Sequence, residues 1–209
     1  MKQGRKVPAL LFTRRPLSPP ARLFNTSPHN TNLVYLEEVV TAQEEGRILR
    51  YLDEAWLKRR RYEKGHWDSA ISKYKEAELV GELPSDVASI VARVIRELVL
   101  PQYEHRPTAA SMLAPHVVDL DADGFISPHV DNVRHSGAVL AGLSLLSSRT
   151  LRLHREGGAP DEGLIEQVLR PRSLYLLKGP LRYDYAHSVL AGTQRRLSLI
   201  FRDANNEMK

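Results

Sequence analysis

The sequence predicts a mostly β protein with flanking α-helices, in which a jelly-roll core of antiparallel strands carries two N-terminal helices packed on one of its sheets. Two observations lead to this class. Two amphipathic segments precede residue 112, and from there on the chain consists of short apolar segments separated by turn residues. Eight short strands that follow two helices suit a layered β core with helices on one face.

The N-terminal segment has the composition of a targeting peptide. Residues 1–36 hold six basic side chains and no acidic one, and residues 22–27 (RLFNTS) resemble the Arg-x-Phe-x-x-Ser pattern of mitochondrial processing sites. We therefore expect residues 1–31 to be a disordered transit peptide, residues 32–209 to form the domain, and the protein to reside in the mitochondrial matrix. A disordered basic tail, or an upstream extension of the gene model, is the alternative.

The rest of the chain is not basic. The whole sequence carries a net charge of +5, but residues 37–209 contain 24 Lys and Arg against 25 Asp and Glu. This balance removes the compositional argument for phosphate binding by the folded body. No apolar run approaches the roughly 20 residues of a membrane span. The absence of cysteine excludes disulfides, thiolate metal sites and cysteine nucleophiles.

The first third of the domain reads as one strand, two helices and an irregular segment. Residues 33–40 predict a strand, and Thr41-x-x-Glu44 is a capping box that opens a helix. Residues 58–79 contain a basic run and read as irregular. A second helix begins near residue 84 and ends at Pro101, because proline removes a helical hydrogen bond.

Short strands fill the remainder of the chain. Turn-forming residues at 121–124, 157–160 and 178–180 separate them. The predicted strands are 116–120, 126–130, 139–146, 150–154, 164–169, 173–177, 183–189 and 196–202.

Three residues among these strands predict a metal centre. In a strand, residues two apart share a face and lie about 6.8 Å apart, so that His129 and Asp131 can bind neighbouring positions of one ion. His187, on a later strand, would complete a two-histidine, one-carboxylate face that suits non-haem Fe(II) and leaves positions open for an organic co-substrate and dioxygen. The alternative is that these histidines are ordinary polar strand residues.

The last strand adds a second signal. Alternation over residues 196–202 places Arg196 and Arg202 on one face, and two inward arginines are costly unless each is paired. A dicarboxylate co-substrate would supply that pairing, because guanidinium binds carboxylate through two parallel hydrogen bonds. The alternative places both arginines at exposed strand ends in surface ion pairs.

The order of these motifs resembles one known family. His-x-Asp, a distant His and then Arg-x-Ser-x-x-x-Arg resemble the AlkB family of Fe(II)/2-oxoglutarate-dependent dioxygenases. Other segments resemble its mitochondrial branch, and together the likeness covers about residues 33–203. These segments are 60–63 with 66–68, 126–131, 141–146 and 173–175.

The resemblance implies a role for each site residue. His129, Asp131 and His187 would bind iron, and Arg196 would pair with the far carboxylate of 2-oxoglutarate. Arg202 would lie near Asp131 and near the carboxylate that chelates the iron. Tyr175 would donate a hydrogen bond to the co-substrate; its alternative is a core tyrosine.

The sequence also departs from the family. Demethylating members carry Asn-x-Tyr where this chain has Val118 and Leu120, so that other donors must hold the co-substrate. Residues 58–79 are also too short for a lid that grips and flips a base. The mitochondrial branch implies a protein or other non-nucleotide substrate, and an association with programmed necrosis and fatty-acid metabolism.

Three functions remain open from the sequence. The favoured one is a mitochondrial dioxygenase that uses Fe(II), 2-oxoglutarate and dioxygen to hydroxylate a protein. The second is a demethylase of mitochondrial RNA, in which residues 58–61 beside Tyr62 and Trp67 would grip phosphate and stack bases. The third is a non-catalytic binding module with a vestigial iron site. His116 and His135 remain candidates for groups around the metal.

Overall fold

The computed structural model describes most of the predicted domain. It describes residues 22–23, 32–65, 70–103, 107–134, 136–158 and 162–205. Most of the predicted transit peptide lies outside these ranges, as do His66, Trp67, His105 and His135.

Two main helices form as the sequence predicts. Helix α1 spans Ala42–Ala55, and its capping box is present, since the Thr41 hydroxyl accepts from the Glu44 N–H and the Glu44 carboxylate accepts from the Thr41 N–H. Helix α2 spans Ser85–Arg93 and continues through a π-helical turn at Val94–Val99. A third, short helix, α3, spans Pro180–Tyr183. None of the helices in the described ranges is long and apolar enough to cross a membrane.

Eleven strands are present in the described part of the chain, and every pairing among them is antiparallel. They are β1 (Arg22–Leu23), β2 (Leu33–Glu37), β3 (Glu63–Gly65), β4 (Ile71–Glu78), β5 (His116–His129), β6 (Leu140–Leu145), β7 (Arg149–Arg155), β8 (Ile165–Leu169), β9 (Ser173–Leu177), β10 (Tyr185–Val189) and β11 (Arg196–Arg202).

The strand order is that of a curled jelly roll. The spatial order is β1-β2-β9-β6-β11-β5-β10-β7-β8, and β4 pairs with β5 and with β3. Most neighbours along this order, from β2 to β7, are therefore not consecutive in sequence, as Greek-key crossovers require. The predicted fold class is confirmed.

The prediction of a turn at 121–124 is wrong. Residues 116–129 form one continuous strand that curls there, pairing with β11 through its first part and with β10 through its last part. Strand β4 bends with it, with a shift in register between Ser72 and Tyr74. A Cβ on Gly124 would lie 2.5 Å from the Lys73 carbonyl oxygen, so this close approach of two backbones requires glycine.

The prediction that residues 58–79 are irregular is also wrong. Strands β3 and β4 form a hairpin there, and β4 extends the sheet along the length of β5. Charged residues such as Lys75 and Glu76 occur on both faces of β4, and this removed the period-two pattern that marks a half-buried strand.

Two apolar clusters hold the layers together. The first packs α1 and α2 on the outer face of the sheet, where Leu197, Leu199 and Phe201 of β11 meet Ile48 and other helix residues. The second fills the interior of the roll, and its members include Val118, Leu120, Tyr175 and Ile200. Alternation along β11 thus turns its apolar residues to the helices and its arginines to the interior, as predicted.

Candidate metal centre

Two histidines face each other across neighbouring strands. His187 on β10 is the register partner of His129, the last residue of β5. Their ring centroids lie 4.3 Å apart. Directly opposed residues of an antiparallel pair project to the same face, so the two imidazoles share one side of the sheet.

Asp131 joins this pair from just beyond the end of β5. Its Oδ1 lies 3.3 Å from His129 Nε2 and 3.9 Å from His187 Nε2. The three ligand atoms all lie within 4.8 Å of one another, and Asp131 and His187 are buried. Ligands at right angles around a metal, with bonds of about 2.1 Å, are about 3 Å apart. The three residues therefore suit adjacent positions on one ion.

The orientation of His129 favours a cation at this point. Its Nδ1 lies 2.9 Å from the Ser127 carbonyl oxygen, which accepts the Nδ1–H. When the ring is neutral, its Nε2 lone pair faces the Asp131 carboxylate, and two such acceptors attract either a proton or a metal ion between them. A histidine oriented by a backbone carbonyl is the usual arrangement around a bound metal.

Arg202 holds the other oxygen of Asp131. Its Nε–H donates to Asp131 Oδ2 over 2.5 Å, while its Nη1 lies 3.5 Å from His116 Nδ1. His116 Nε2 in turn lies 3.2 Å from a Glu76 carboxylate oxygen. Glu76, His116 and Arg202 thus form a chain of contacts that fixes Asp131 and leaves its Oδ1 facing the histidines.

The electrostatic environment keeps Asp131 ionised and His187 neutral, the forms that bind a metal, and favours a proton on His129. Burial alone would raise the pKa of Asp131, but the hydrogen bond from His129 and the charge of Arg202 outweigh it and hold that pKa well below its usual range. Burial lowers the pKa of His187 to about 3, assisted by the charge of His129. Burial also opposes protonation of His129, yet its hydrogen bond to Asp131 gives it a raised pKa. An ionised carboxylate and a neutral imidazole are what a divalent metal needs.

Arg182 ties down the segment that carries Asp131. It lies in α3, is 1% exposed, and its Nη1–H donates to the Asp131 carbonyl oxygen over 3.1 Å. Its Nη2–H groups donate to the carbonyl and hydroxyl oxygens of Ser136 at 3.2 and 3.3 Å. One buried cation therefore holds the backbone at both Asp131 and Ser136. No sequence pattern marks this residue, because it lies in a helix of four residues.

Arg196 lies at the opposite end of β11, inside the roll. Its Nε–H donates to Ser144 Oγ at 3.1 Å and its Nη1–H to Ser198 Oγ at 3.3 Å. Its Nη2 has no hydrogen-bond partner in the described part of the chain, and burial lowers the pKa of the guanidinium to about 10. A buried cation with an unpaired NH2 group fits an anion, and a carboxylate is the acceptor with matching geometry.

Tyr175, Val118 and Leu120 belong to the apolar cluster inside the roll. Tyr175 is buried on β9, where burial raises its pKa and Arg196 acts on it electrostatically. Val118 and Leu120 are the register partners of Ser198 and Arg196, and both belong to the interior cluster. The wall that carries Asn-x-Tyr in the demethylating members is apolar here.

The residues considered for RNA binding do not form a basic groove with a free aromatic ring in the described part of the chain. Lys58 and Arg59 lie exposed on a 3-10 turn. The Tyr62 hydroxyl donates to Asp119, and the Lys75 ammonium lies 4.2 Å from the centre of the Tyr62 ring. The ring therefore already stacks against a side chain of its own protein. Trp67, its expected companion, lies outside the described residues.

Comparisons with known proteins give the family. No family model matches the chain. It is 39% identical over 153 residues to the alpha-ketoglutarate-dependent dioxygenase alkB homolog 7, mitochondrial, of Mus musculus, and 40% identical over 151 residues to the protein of that name from Bos taurus. Each match covers 72% of this chain and 64% or 63% of the relative, so the chain spans less than two thirds of the relatives' length.

Solved structures of low identity share the fold. A prolyl hydroxylase from Trichoplax adhaerens, in complex with a hypoxia inducible factor peptide fragment, has a TM-score of 0.62 at 12% identity and covers 85% of each chain. The structure named OsALKBH1 has a TM-score of 0.62 at 16% identity and covers 87% of this chain and all of that one. The motif order, the curled sheet and the named mitochondrial relatives agree, and the chain belongs to the AlkB family of 2-oxoglutarate-dependent dioxygenases.

Proposed function

We propose that this chain is a mitochondrial dioxygenase that hydroxylates a protein substrate with Fe(II), 2-oxoglutarate and dioxygen. One observation carries the proposal. Three metal-ligating atoms converge beside Arg202 at one end of β11, and Arg196, a buried arginine whose Nη2 group is unpaired in the described part of the chain, lies at the other end of β11. A co-substrate with one metal-chelating end and one carboxylate end fits between them.

His129, Asp131 and His187 would hold the iron. When bound there, iron supplies the oxidation of a substrate C–H bond by dioxygen, coupled to the decarboxylation of 2-oxoglutarate to succinate. The protein keeps Asp131 ionised, since Arg202 holds its outer oxygen. It keeps His187 neutral by burial. Ser127 fixes the ring nitrogen by which His129 would bind.

Arg196 and its neighbours would hold the co-substrate. The unpaired Nη2 of Arg196 would donate to the far carboxylate of 2-oxoglutarate, and Tyr175 would supply a hydrogen bond beside it. Arg202 would lie near the chelating carboxylate. Val118 and Leu120 would pack against the methylene groups, so that polar binding would depend on the two ends of the molecule.

Charge and aromatic contacts support a protein substrate over a nucleic acid. Residues 37–209 are not basic, and non-specific binding of single strands depends on a positive groove with exposed aromatic rings. The contacts of Tyr62 with Asp119 and Lys75 already occupy its ring and hydroxyl.

We place this activity in the mitochondrial matrix, after removal of residues 1–31, and in programmed necrosis and fatty-acid metabolism.

The test is succinate formation by the full chain with Fe(II), ascorbate and 2-oxoglutarate. His129→Ala should abolish it, whereas His154→Ala, a half-buried histidine on β7, should not. A mitochondrial protein fraction should stimulate turnover and gain oxygen by mass spectrometry, and protease treatment of that fraction should remove the effect. Stimulation that is instead lost on ribonuclease treatment would support RNA demethylation. Absence of succinate despite bound metal and co-substrate would support a binding module.

A further inference from the structure

A second buried arginine contacts the turn that precedes Arg196. Arg149, the first residue of β7, is 4% exposed. Its Nη2–H groups donate to the carbonyl oxygens of Asp121 and Ala122 at 3.1 and 2.9 Å, and to that of Gln194 at 2.5 Å. No carboxylate in the described residues pairs with it, and its Nε has no hydrogen-bond partner there. All of its strong acceptors are neutral backbone groups.

These carbonyl groups lie close in sequence to Arg196 and to its register partner Leu120. Asp121 and Ala122 follow Leu120, which is the register partner of Arg196. Gln194 precedes Arg196 by two residues. One guanidinium thus joins the curl of β5 to the turn before β11, immediately before the residue proposed to bind the co-substrate.

The absence of a side chain at Gly192 leaves space for the Arg149 guanidinium. A Cβ on Gly192 would lie 1.9 Å from Arg149 Nη1 and 2.4 Å from its Cζ. Any other residue at 192 would displace the guanidinium or the turn before β11. The alternation of Arg149, Leu151 and Leu153 along β7 is the sequence signal for an inward arginine.

The two arginines are electrostatically coupled. Burial lowers the pKa of each guanidinium, and the charge of Arg149 further lowers that of Arg196. Like charges in a poorly solvated interior repel, so a pair without a carboxylate partner is costly. An anion bound at Arg196 would relieve this repulsion.

We propose that Arg149 is a positioning residue for the co-substrate, which fixes the strands around Arg196 and adds a second positive charge that selects 2-oxoacids with a distal carboxylate. This inference rests on the proposed role of Arg196. It predicts that loss of the Arg149 charge weakens binding of the dicarboxylate and spares a monocarboxylate of the same length. A purely structural clamp would affect both ligands alike.

The test compares two ligands in the full chain loaded with Mn(II), which does not support turnover. Calorimetry gives the dissociation constants of 2-oxoglutarate and of 2-oxopentanoate, which has the same carbon chain without the distal carboxylate. Arg149→Gln should weaken 2-oxoglutarate binding about tenfold, equivalent to ~1.4 kcal/mol. It should change 2-oxopentanoate binding less than twofold. Arg149→Lys should restore most of the loss, and Arg152→Gln, on the exposed face of the same strand, should have no effect.

Two outcomes would overturn the proposal. Equal weakening of both ligands would make Arg149 a structural clamp, and unchanged binding of both would remove it from the site. If neither Arg149 variant folds, Gly192→Ala displaces the guanidinium while keeping both charges. Weakening of 2-oxoglutarate binding alone then supports the proposal, and any other result rejects it. Arg196→Gln tests the role of Arg196 separately from that of Arg149. If this variant still binds 2-oxoglutarate as tightly as the wild type, the proposed role of Arg196 itself is rejected.

Discussion

The ring of Tyr175 occupies the space that a side chain at Gly142 would fill. The two residues are register partners on β9 and β6, and a Cβ on Gly142 would lie 2.3 Å from Tyr175 Cε1 and 2.8 Å from its hydroxyl oxygen. On its other side Gly142 pairs with Ile200 of β11. The absence of a side chain thus lets the tyrosine lie flat over β6, inside the roll.

Gly142→Ala should therefore disturb both stability and co-substrate binding. The added methyl group must displace the Tyr175 ring, and overpacking of this kind costs about 1–3 kcal/mol. Urea denaturation measures the free energy of unfolding, and calorimetry measures 2-oxoglutarate binding. The control is Gly46→Ala in α1, where an added Cβ has no atom within 4 Å. This substitution should stabilise the helix by about 0.5–1 kcal/mol. An alanine at 142 with unchanged stability and binding would contradict this relationship.

Metal binding should release one proton between pH 6.5, the ordinary pKa of a histidine side chain, and pH 5. Over this range the lowered pKa of Asp131 keeps it ionised and the lowered pKa of His187 keeps it neutral, so His129, with its raised pKa, is the ligand that a proton can occupy. Below the pKa of His129, the logarithm of Mn(II) affinity should fall by about one per pH unit. Titrations at several pH values measure the slope, and a slope of two would show that both histidines compete with the metal.

The metal-free chain should lose stability as the pH falls. The pKa of His187 is about 3 in the folded protein against 6.5 for the free side chain, so the unfolded state takes up a proton that the folded state does not. This contribution to the free energy of unfolding is complete above about pH 6.5 and is lost progressively toward pH 3. Urea denaturation across that range follows it. His187→Gln should flatten the pH dependence, and an unchanged curve in that variant would assign the loss to other groups.

Arg182→Met should weaken metal binding without touching a ligand atom. The substitution removes the donors that hold the Asp131 and Ser136 carbonyl oxygens, and groups that orient metal ligands typically contribute 10–100-fold in affinity. Mn(II) titration measures the loss. Arg170→Met, a change at an exposed arginine, serves as the control. Equal metal affinity in both variants would show that the loop keeps its position unaided.

His116→Phe should weaken metal binding through Arg202. The ring links Glu76 to Arg202, which holds the outer oxygen of Asp131. Phenylalanine keeps the bulk and removes both contacts, so that Arg202 is less constrained. We expect loss of Mn(II) affinity with unchanged urea stability. His116→Asn, which can retain one of the two contacts, should lose less. Wild-type affinity in the phenylalanine variant would reject the link.

The fold was predictable where local pattern and burial agree. Strands β9 and β11 have the predicted bounds, because each is buried along its length and bordered by turn residues. Helix α1 was marked by its capping box. The strand β5 was predicted in two pieces, because Asp, Ala, Asp and Gly at 121–124 favour a turn when they are considered without the neighbouring strand β4.

The site was predictable only in part. His129, Asp131 and His187 emerged from their spacing and the family resemblance, and the structure brings their ligand atoms together. Their assignment to iron, like that of Arg196, Arg202 and Tyr175 to 2-oxoglutarate, stays a prediction. Arg182 and the contacts of His116 could not be predicted, because they depend on elements that meet only in the folded chain.

Strand β5 closes on itself through two side chains. Straight, its 14 residues would span about 46 Å. Yet His116 at its start contacts Arg202, Arg202 contacts Asp131, and Asp131 lies against His129 at its end. A metal ion bound here would therefore help to hold the two ends of the curled strand together. Removal of the ion should therefore speed amide exchange at the curl around Gly124, at the far end of the roll, as well as beside the ligands.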